Sequence, residues 1–418
     1  MAQAVVLVAG ADPTKGRGGH GTYVRAHARA AKRAGFEPHI FCRGDRTERV
    51  ETDLGTVHRI ANVLPLDRLP WFRFRSAHLM WEAPRMVRAV TAFTASLPAP
   101  RLVHGFGVQG WVTAAAARRL RHRGLAVFAI VSAYDALIRE ARAKLRAVLG
   151  PVQRLSFAAE LAMTGLVAAR LERRGLAGCE VILVNYESVR RDLSARYGVG
   201  AKIRKVTYGP ESAFLHDGGT ARALAPEHHP SDGPPLIVAV SRHDPRKGLD
   251  ILIAALARLR AAGIPFRGCL VGSGALLAVH RRLVERLRLS DTVRVEGFVP
   301  DPFPYLEEAD VFVQPSLEEG SGSLSLLEAL HAGAPVVASA VDGIPEDVVH
   351  GESAYLTKAG DVDALVAALT TMLGDTDLRR RLARGGHAVF RSRFSADAFS
   401  DALGEIYTGV GAAVDGER

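Results

Sequence analysis

The sequence has few cysteines and no long apolar run. Its three cysteines, Cys42, Cys179 and Cys269, are too widely separated for a metal site or a redox pair. The longest mostly apolar run, Leu125 to Tyr134, is shorter than the roughly 18 residues that a membrane span needs. The first residues, MAQAVVLVAGADP, lack a basic leader and resemble a strand rather than a signal peptide. We therefore expect a cytoplasmic protein without a metal site, and peripheral contact with the inner face of a membrane stays open.

Lysine is also scarce, although the chain is basic. The formal charge of +10 is carried mostly by arginine, with only seven lysines. Such a balance suits anionic partners, whether phosphate-bearing ligands, an acidic membrane surface or nucleic acid. No nucleic-acid-binding motif accompanies the charge, so we predict no nucleic-acid partner. The alternative is that the arginines simply solvate the surface.

The length of 418 residues predicts two domains of roughly 200 residues each. In both halves apolar strands alternate with helical segments, which is typical of a parallel sheet covered on both faces. We therefore predict an α/β fold with two doubly wound, Rossmann-like domains that face a central cleft. The predicted parts are an N-terminal domain at 1–209, a linker at 210–234, a second domain at 235–390, and a helix at 391–418 that crosses back toward the first domain and ends in a tail.

The segment Ser316 to Pro335 reads SLEEGSGSLSLLEALHAGAP and follows a buried strand pattern. A strand that is followed by a glycine loop and the start of a helix typically binds phosphate, because free backbone N–H groups point out of the first helical turn. Acidic residues such as Glu318 and Glu319 suit sugar hydroxyls instead, because hydroxyls donate hydrogen bonds to carboxylates. A nucleotide sugar carries both groups, and the segment predicts such a ligand.

A second motif, VSRHDPRKG, follows the strand that opens the second half. Arg242 has the geometry to clamp a diphosphate, and Lys247 supplies a second positive charge. Lys247 is the only lysine between Lys205 and Lys358 in an arginine-rich chain, which favours a specific role. Two ordinary surface charges at a helix start are the alternative, but the position at a strand end favours ligand binding.

The first half carries a glycine loop after its first strand. The loop contains Gly16, Gly18 and Gly21, which formally fit the dinucleotide fingerprint and make a dehydrogenase an alternative. Six residues, however, separate the strand from that fingerprint, and Cys42-Arg43 stands where the fingerprint expects an acidic residue. We therefore predict a mobile loop that lets a diphosphate or an acceptor approach the backbone.

His104 ends a predicted strand, where its imidazole is expected to face the cleft and bind a sugar hydroxyl or a phosphate. A structural role is the alternative. The segment Leu66 to Arg88 interleaves aromatic residues with arginines. It suits an anionic bilayer, an aromatic acceptor site or an ordinary core helix, and all three interpretations stay open.

Together these motifs resemble the family-4 retaining glycosyltransferases of the GT-B fold (glycosyl transferases group 1). The resemblance covers the whole second half and is weaker in the first, where the glycine loop, His104 and the stretch Leu171 to Leu193 carry it. In the second half the motifs share their order and spacing with the family over about 110 residues. They are Arg242 with Lys247-Gly248, LVGSG at 270–274, VEGFVPD at 295–301 and the stretch 305–339.

The resemblance implies a retaining transfer from a nucleotide-diphosphate sugar, with a UDP- or GDP-sugar most expected. No cofactor and no metal is implied. The first domain would be the acceptor side and the second the donor side, and the acceptor would be a glycan, a lipid-linked sugar or a small molecule. The implied catalytic residues are His104, Arg242, Lys247 and Glu319. The implied donor-binding residues are Gly18, Gly19, Arg242, Lys247, Gly272, Phe298, Gly320, Gly322, Ser323, Leu324 and Glu328.

The sequence departs from the family at two places. The two glutamates of the family are separated by seven residues, whereas Glu319 and Glu328 are separated by eight, so the first family glutamate falls on Gly320. Either the loop bulges by one residue and Glu319 still reaches the sugar, or that contact is altered. Tyr134 stands where many members carry a histidine.

Two other functions remain as alternatives. A sugar-nucleotide epimerase or hydrolase on this scaffold would need acid/base groups that converge on the sugar, and only His104 and Glu319 are candidates. A non-catalytic sugar-nucleotide-binding module is the second, although Arg242, Lys247 and Glu328 are all present.

Overall fold

The computed structural model describes residues 3–15, 19–61, 75–134, 155, 158–159, 161–162, 164–209, 233–319, 322–394 and 396–415. The chain divides into two compact units. The first comprises Met1–Glu211 together with Ala396–Arg418, and the second comprises Ser212–Ser395. The C-terminal helix therefore belongs to the first unit.

The first unit is built on an eight-stranded sheet. Its strands are β1 Gln3–Val8, β2 Phe36–Gly44, β3 Glu48–Thr52, β4 Gly55–Ala61, β5 Arg101–Phe106, β6 Val127–Ser132, β7 Val181–Val184 and β8 Ile203–Lys205. They lie in the order β3-β4-β2-β1-β5-β6-β7-β8, and only the β3–β4 pair is antiparallel. Strand β1 is central because VVLV is apolar throughout and is buried on both faces.

Helices cover the sheet of the first unit. They are α1 Gly19–Arg33, α2 Arg75–Ser96, α3 Gly110–Arg121, α4 Ala169–Gly178, α5 Glu187–Tyr197 and, from the end of the chain, α13 Ala396–Asp415. Helix α3 packs on both α2 and α4, and α13 packs on α1. The core between α2, α3 and the sheet includes Val87, Val90, Val103, Leu120 and Val131.

The second unit contains a six-stranded parallel sheet. Its strands are β9 Leu236–Val240, β10 Arg267–Val271, β11 Val293–Gly297, β12 Val311–Gln314, β13 Val336–Ser339 and β14 Tyr355–Thr357. They lie in the order β11-β10-β9-β12-β13-β14. The carboxyl ends of β9 and β12, which are neighbours, thus lie at the same edge of the sheet.

Seven helices are described in the second unit, in the part of the chain from 233 to 394. They are α6 Leu249–Ala261, α7 Leu277–Arg286, α8 Phe303–Glu307, α9 Leu324–Ala332, α10 Ile344–Asp347, α11 Val362–Gly374 and α12 Thr376–Arg393. Helix α6 buries Leu252, Leu256 and Leu259 in the core, as their helical spacing predicts. None of the helices described in either unit is long and apolar enough to cross a membrane.

The predicted α/β fold with two parallel, Rossmann-like sheets is confirmed. The apolar runs at 236–240, 267–271, 311–314 and 336–339 predict strands, and β9, β10, β12 and β13 have these bounds. The sequence interpretation missed the β3–β4 hairpin and β14. Strand β8 is shorter than predicted, since it ends at Lys205 rather than at Tyr208.

Candidate functional site

The site in the second unit begins where β9 ends. Asp244 caps a short 3₁₀ turn, Pro245–Lys247, by accepting a hydrogen bond from the backbone N–H of Arg246. Gly248 follows with a φ of 60°, and a Cβ there would lie 2.1 Å from the carbonyl oxygen of Pro315. Only glycine permits this left-handed backbone so close to the segment after β12. The loop after β9 is therefore held against the loop after β12.

This contact brings Lys247 to Glu319. The Lys247 Nζ lies 2.7 Å from both carboxylate oxygens of Glu319. The Lys247 side chain is 15% exposed and that of Glu319 only 1%. Such a sheltered, bidentate contact is stronger than a surface ion pair, because solvent screens it little.

Glu319 is also held by two neutral donors. The amide Nε2 of Gln314 donates to Glu319 Oε1 over 2.6 Å, and the hydroxyl of Ser316 donates to the same oxygen. The backbone N–H of Glu319 donates to Asp342 over 2.7 Å. The carboxylate is thus committed to protein partners. Its contact with the donor sugar stays a prediction. Of the two alternatives for the longer spacing, these hydrogen bonds favour an altered contact.

Arg242 lies on the same loop but is open. Its side chain is 57% exposed, and its Nη1 is 3.8 Å from Asp244 Oδ2, which is a loose ion pair. An anionic ligand would meet this guanidinium at little cost. Arg242 and Lys247, both predicted to hold a diphosphate, therefore share one loop at the carboxyl edge of the sheet.

The loop after β10 packs against the β9 loop through two glycines. A Cβ on Gly272 would lie 1.9 Å from the carbonyl oxygen of Ser241, and one on Gly274 would lie 2.4 Å from that of His243. These glycines serve the close approach of two backbone segments, which explains LVGSG in structural terms. Phe298, after β11, is 70% exposed and remains available to a ligand.

Helix α9 begins at the predicted glycine-serine loop. Its N-cap, Ser323, accepts from the N–H of Leu326 over 3.2 Å and donates to Gln314 Oε1 over 3.1 Å. Gln314 therefore joins the start of α9 to Glu319, a link that the sequence interpretation missed. Leu324 opens the helix, and Gly322 has a φ of 85°. Gly320 lies outside the described residues.

Glu328 lies one turn into α9 and is partly exposed. Burial of the carboxyl raises its pKa to about 7, and the nearby charge of Asp301 adds to the effect. A carboxyl group with this pKa changes its protonation near neutral pH. Its ability to accept hydrogen bonds from ribose hydroxyls would therefore depend on pH.

In the first unit, His104 is fully buried rather than open. Its Nδ1 is 2.7 Å from the Tyr407 hydroxyl, and its Nε2 is 2.8 Å from the Ser132 hydroxyl. Burial lowers the pKa of this imidazole well below its usual value. The imidazole is not open because β5 directs the side chain toward α13, and its predicted contact with a ligand stays a prediction. Both ring nitrogens have protein partners, so the structural alternative fits.

A neighbouring cluster was missed by the sequence interpretation. The Tyr134 hydroxyl lies 3.1 Å from His27 Nε2, and the Tyr134 ring stacks on Tyr23 with centroids 4.0 Å apart. Tyr134 is only partly buried and follows β6, at the carboxyl edge of the sheet. The sequence signal for this cluster was a pair of aromatic residues, Tyr23 in a helical segment and Tyr134 at the end of a strand.

The base of the glycine loop in the first unit is held by arginines. Arg59, from β4, donates to Asp12 over 2.7 Å, and Arg43 donates to the carbonyl oxygen of Gly10 over 2.9 Å. Gly18 lies outside the described residues, and Gly19 is the first residue of α1. Arg59 and Asp12 gave no motif, so sequence reasoning did not find them.

Two further predictions concern metals and membranes. No group of three or more His, Cys, Asp or Glu side chains that would hold a metal ion occurs in the described ranges. Residues 62–74 of the aromatic-arginine segment lie outside those ranges, and the rest of it lies in α2. The three interpretations of that segment therefore stay open.

Two family models match the chain in succession. The model described as Glycosyltransferase Family 4 matches residues 17–209, and the model described as Glycosyl transferases group 1 matches residues 222–389. The two matches fall on the first and second structural units respectively.

Individual relatives match parts of the chain. A lipopolysaccharide core biosynthesis glycosyltransferase, LpsE of Rhizobium meliloti (strain 1021), is 33% identical over 44% of this chain and 54% of its own length. A putative colanic acid biosynthesis glycosyltransferase, WcaL of Salmonella typhimurium, is 37% identical over 33% of this chain and 36% of its own. The chain thus spans about half or less of these relatives. A GDP-mannose-dependent alpha-(1-6)-phosphatidylinositol monomannoside mannosyltransferase of Mycolicibacterium smegmatis is 29% identical over 57% of this chain and 67% of its own length.

Solved structures share the architecture over almost the whole chain. Sucrose-phosphate synthase from Thermosynechococcus elongatus superposes with a TM-score of 0.77 and 24% identity, covering 98% of this chain and 100% of that one. Anabaena HepE in complex with UDP gives a TM-score of 0.67 at 16% identity, with 97% and 100% covered. These likenesses confirm the predicted GT-B fold.

Proposed function

The chain belongs to the group 1, family 4 glycosyltransferases, and we propose that it moves a sugar from a nucleotide-diphosphate donor to an acceptor hydroxyl with retention of configuration. The observation that carries the proposal is the loop after β9. It presents Arg242 and Lys247 at the carboxyl edge of the second sheet, next to the strand that leads into α9. Ligands of doubly wound sheets bind at that edge.

The proposed role of these cations is to stabilise the leaving group. When the bond between the sugar and the diphosphate breaks, negative charge grows on the phosphate oxygens, and fixed positive charges lower the barrier most at that moment. The start of α9 adds backbone N–H groups aimed at the same anion. Because the protein supplies this positive charge itself, we propose a metal-independent reaction.

Lys247 is suited to hold a phosphate without leaving Glu319. An ammonium group has three N–H donors, and the two carboxylate oxygens of Glu319 engage at most two of them. The remaining donor capacity can point to a phosphate oxygen. Glu319 is then a positioning residue for Lys247 rather than a sugar ligand.

Retention is proposed from family membership. In that mechanism the acceptor attacks from the face that the diphosphate leaves, through an oxocarbenium-like state, and a phosphate oxygen takes the proton of the acceptor hydroxyl. The two candidate bases already have protein partners, since His104 is hydrogen-bonded to Tyr407 and Glu319 to Lys247. This placement disfavours an epimerase or hydrolase that depends on them.

For the donor we propose a UDP- or GDP-sugar. The mycobacterial relative is named for GDP-mannose, and the Anabaena structure holds UDP. Glu328 is proposed to accept hydrogen bonds from the ribose hydroxyls, and Phe298 to contact the base. Neither interaction selects one nucleotide, which is why both remain in the proposal.

For the acceptor we propose a glycan or a lipid-linked sugar used at the cytoplasmic face of a membrane. Two relatives are named for lipopolysaccharide core and colanic acid biosynthesis. The charge of +10 and the aromatic-arginine segment Leu66 to Arg88 support contact with an anionic bilayer. We expect the protein to sediment with anionic liposomes and Trp71→Ser/Trp81→Ser to weaken this binding. Failure to bind at low salt would end the membrane proposal.

The direct test is a thermal-shift panel of UDP-, GDP-, ADP- and dTDP-sugars. A donor that binds only the folded protein raises the free energy of unfolding with the logarithm of its concentration over Kd, by about 2.7 kcal/mol at a hundredfold excess, and Tm rises with it. Lys247→Ala should lose the shift, whereas the matched control Lys358→Ala should keep it. A panel in which no nucleotide sugar stabilises the wild type would contradict the proposed function.

Turnover separates a transferase from a binding module. With the stabilising donor and a mixture of glycan acceptors, the product should carry the anomeric configuration of the donor, which NMR of the new linkage reports. Binding without transfer or hydrolysis would favour the module, and an inverted linkage would overturn retention.

A further inference from the structure

A cavity lies on the first unit, and none of its lining residues belongs to the candidate sites described above. Its volume is about 370 Å³, and it is lined by Arg88, Thr91, Ala92, Arg119, His122 and Arg123. Three guanidinium groups and an imidazole therefore surround one space, and no carboxylate lines it. The Thr91 hydroxyl already donates to the Val87 carbonyl, so the arginines and His122 are the donors that face the cavity.

The topology places this cavity at the amino-terminal edge of the sheet. Helix α3 starts after the carboxyl end of β5 and ends just before β6, so Arg119 and Arg123 lie near the start of the parallel strands. Helix α2, which carries Arg88 and packs on α3, leads toward the start of β5. Tyr134 lies at the opposite, carboxyl edge. A ligand in the cavity is therefore separate from any sugar that reaches the carboxyl edge.

The surrounding chain leaves these charges uncompensated. From Ala83 to Tyr134 the sequence contains seven arginines and neither aspartate nor glutamate. Arg121, in the same helix, does find a partner and donates to both carboxylate oxygens of Glu180 over 2.7 Å. The guanidinium groups of Arg88, Arg119 and Arg123 form no ion pair or hydrogen bond with the described residues.

Convergence of like charges raises the free energy of the folded protein unless something offsets it. The negative end of the α3 dipole offsets part of it, by about 0.3–1 kcal/mol for a charge in the last turn. The helix dipole offsets the cost of the Arg119 charge but not that of Arg88, because Arg88 lies in the middle of α2. It also does not explain why the three side chains border one cavity. A bound anion accounts for both.

We propose that this cavity binds a phosphate group. Each guanidinium is a planar fork that can donate two parallel hydrogen bonds to phosphate oxygens. Three such forks match the several non-bridging oxygens of a phosphate better than the two oxygens of a carboxylate. The group belongs either to a lipid headgroup or to a soluble phosphorylated metabolite. The site is independent of the proposed transfer reaction.

The test compares two triple variants of the full chain with equal charge change. Arg88→Gln/Arg119→Gln/Arg123→Gln removes the forks of the cavity. The matched control, Arg282→Gln/Arg286→Gln/Arg381→Gln, removes three exposed arginines of the second unit. Titration calorimetry with inorganic phosphate at constant ionic strength should show a site that weakens at least tenfold in the cavity variant only. Any phosphate bound near Lys247 is common to both variants and cancels.

Vesicles then assign the source of the phosphate. If phosphatidylglycerol vesicles, but not phosphatidylcholine vesicles, bind the control and release the cavity variant, the ligand is a lipid headgroup. If the two variants bind vesicles equally, or neither binds them, while the phosphate site is lost in the cavity variant, the ligand is a soluble phosphate compound. Equal phosphate affinity and stoichiometry in the two variants would overturn the proposal.

Discussion

Lys247 and Glu319, 72 positions apart in the sequence, form a doubly hydrogen-bonded ion pair with both oxygens 2.7 Å from the ammonium nitrogen. The pair joins the loop after β9 to the loop after β12. Because Gln314 and Ser316 also donate to Glu319, the carboxylate acts as an anchor that fixes where the ammonium group lies. The position of a charge that must stabilise a leaving diphosphate is thus set by a residue that need not touch the substrate.

We expect Glu319→Gln to impair transfer by misplacing Lys247. The amide keeps the shape of the side chain but loses its charge, so Lys247 is no longer held and kcat should fall by about 10- to 100-fold, in line with other losses of precise positioning. The free energy of unfolding should fall by about 1–3 kcal/mol, because a sheltered lysine loses its partner. Steady-state kinetics and urea denaturation measure the two effects.

The control for this variant is Glu285→Gln, an exposed carboxylate of α7. It removes the same charge from the same unit and should leave kcat and stability unchanged. If Glu319→Gln raised only the KM for the donor and left kcat intact, Glu319 would be a donor ligand and the anchoring role would be wrong.

Glu328 should make donor binding depend on pH. Its pKa of about 7 means that the carboxylate that accepts ribose hydroxyls is lost as pH falls below neutrality. The donor Kd should therefore rise up to tenfold per pH unit below 7 and become constant above it. Glu328→Gln should bind more weakly with a Kd independent of pH over that window, which calorimetry from pH 5.5 to 8.5 tests.

The Glu328 carboxyl also makes folding stability depend on pH, but with the opposite sign to donor affinity. Its folded pKa lies above the unfolded value of 4.5, so the folded state holds the proton between pH 4.5 and about 7. Its contribution to stability is present below pH 4.5 and is lost as pH rises through 7. Glu328→Gln should remove this loss. A donor Kd that stays flat in the wild type would contradict the proposed role of Glu328.

The histidine cluster of the first unit should make that unit sensitive to acid. Burial lowers the pKa of His27 to about 4 and that of His104 well below its usual value, so both are neutral in the folded state. Unfolding lets them take up protons below pH 6.5, so their stabilisation is complete above that pH and is lost as pH falls toward 4. Tm measured from pH 8 to 4.5 should show the loss.

Tyr407→Phe tests the contact that supports this cluster. It removes the hydroxyl that lies 2.7 Å from His104 and should lower the free energy of unfolding by about 1–2 kcal/mol without changing the KM for the donor. A large fall in kcat with unchanged stability would restore a catalytic role for His104.

The sequence predicts a structural feature well when the residues that determine it are close together in the chain. Strands β9, β10, β12 and β13 were predicted with their bounds because each is a short apolar run, buried on both faces of a parallel sheet. The β3–β4 hairpin was missed because ERVET carries charged residues at the sheet edge and pairs only with its neighbour β4.

The candidate functional residues were likewise predictable only where the sequence signal is local. Arg242 and Lys247 were found because they share a local motif after a strand. The role of Glu319 could not be predicted, because its partner Lys247 lies 72 positions away. The extra residue between Glu319 and Glu328 does not indicate which way the Glu319 side chain points. The burial of His104 could not be predicted, because its partner Tyr407 lies 303 positions away. The sequence pattern predicts the helix that carries Tyr407 but not the contacts of that helix.

Gly272→Ala should separate the loops after β9 and β10. The new Cβ would lie 1.9 Å from the carbonyl oxygen of Ser241, next to Arg242, so the backbone must move. We expect donor affinity to fall at least tenfold and stability to fall by about 1–3 kcal/mol. Gly263→Ala is the control, since it also has a positive φ but meets no atom within 4 Å. Equal effects of the two variants on donor affinity would show that backbone strain, and not the close approach, is responsible.

The buried pair His243 and His280 offers a test of how the β9 loop is fastened. Their Nδ1 atoms are 2.8 Å apart, which requires one proton between two neutral rings, and the Nε2 of His243 has no partner among the described residues. His280→Leu leaves a buried imidazole unpaired and should cost about 1–3 kcal/mol. Replacing both with leucine removes the unpaired group, so the double variant should be more stable than the sum of the single effects by about 1 kcal/mol or more. Urea denaturation of the four proteins gives this coupling energy. Additive effects would show that the rings only fill space, and the hydrogen bond would then not fasten the loop that carries Arg242 and Lys247.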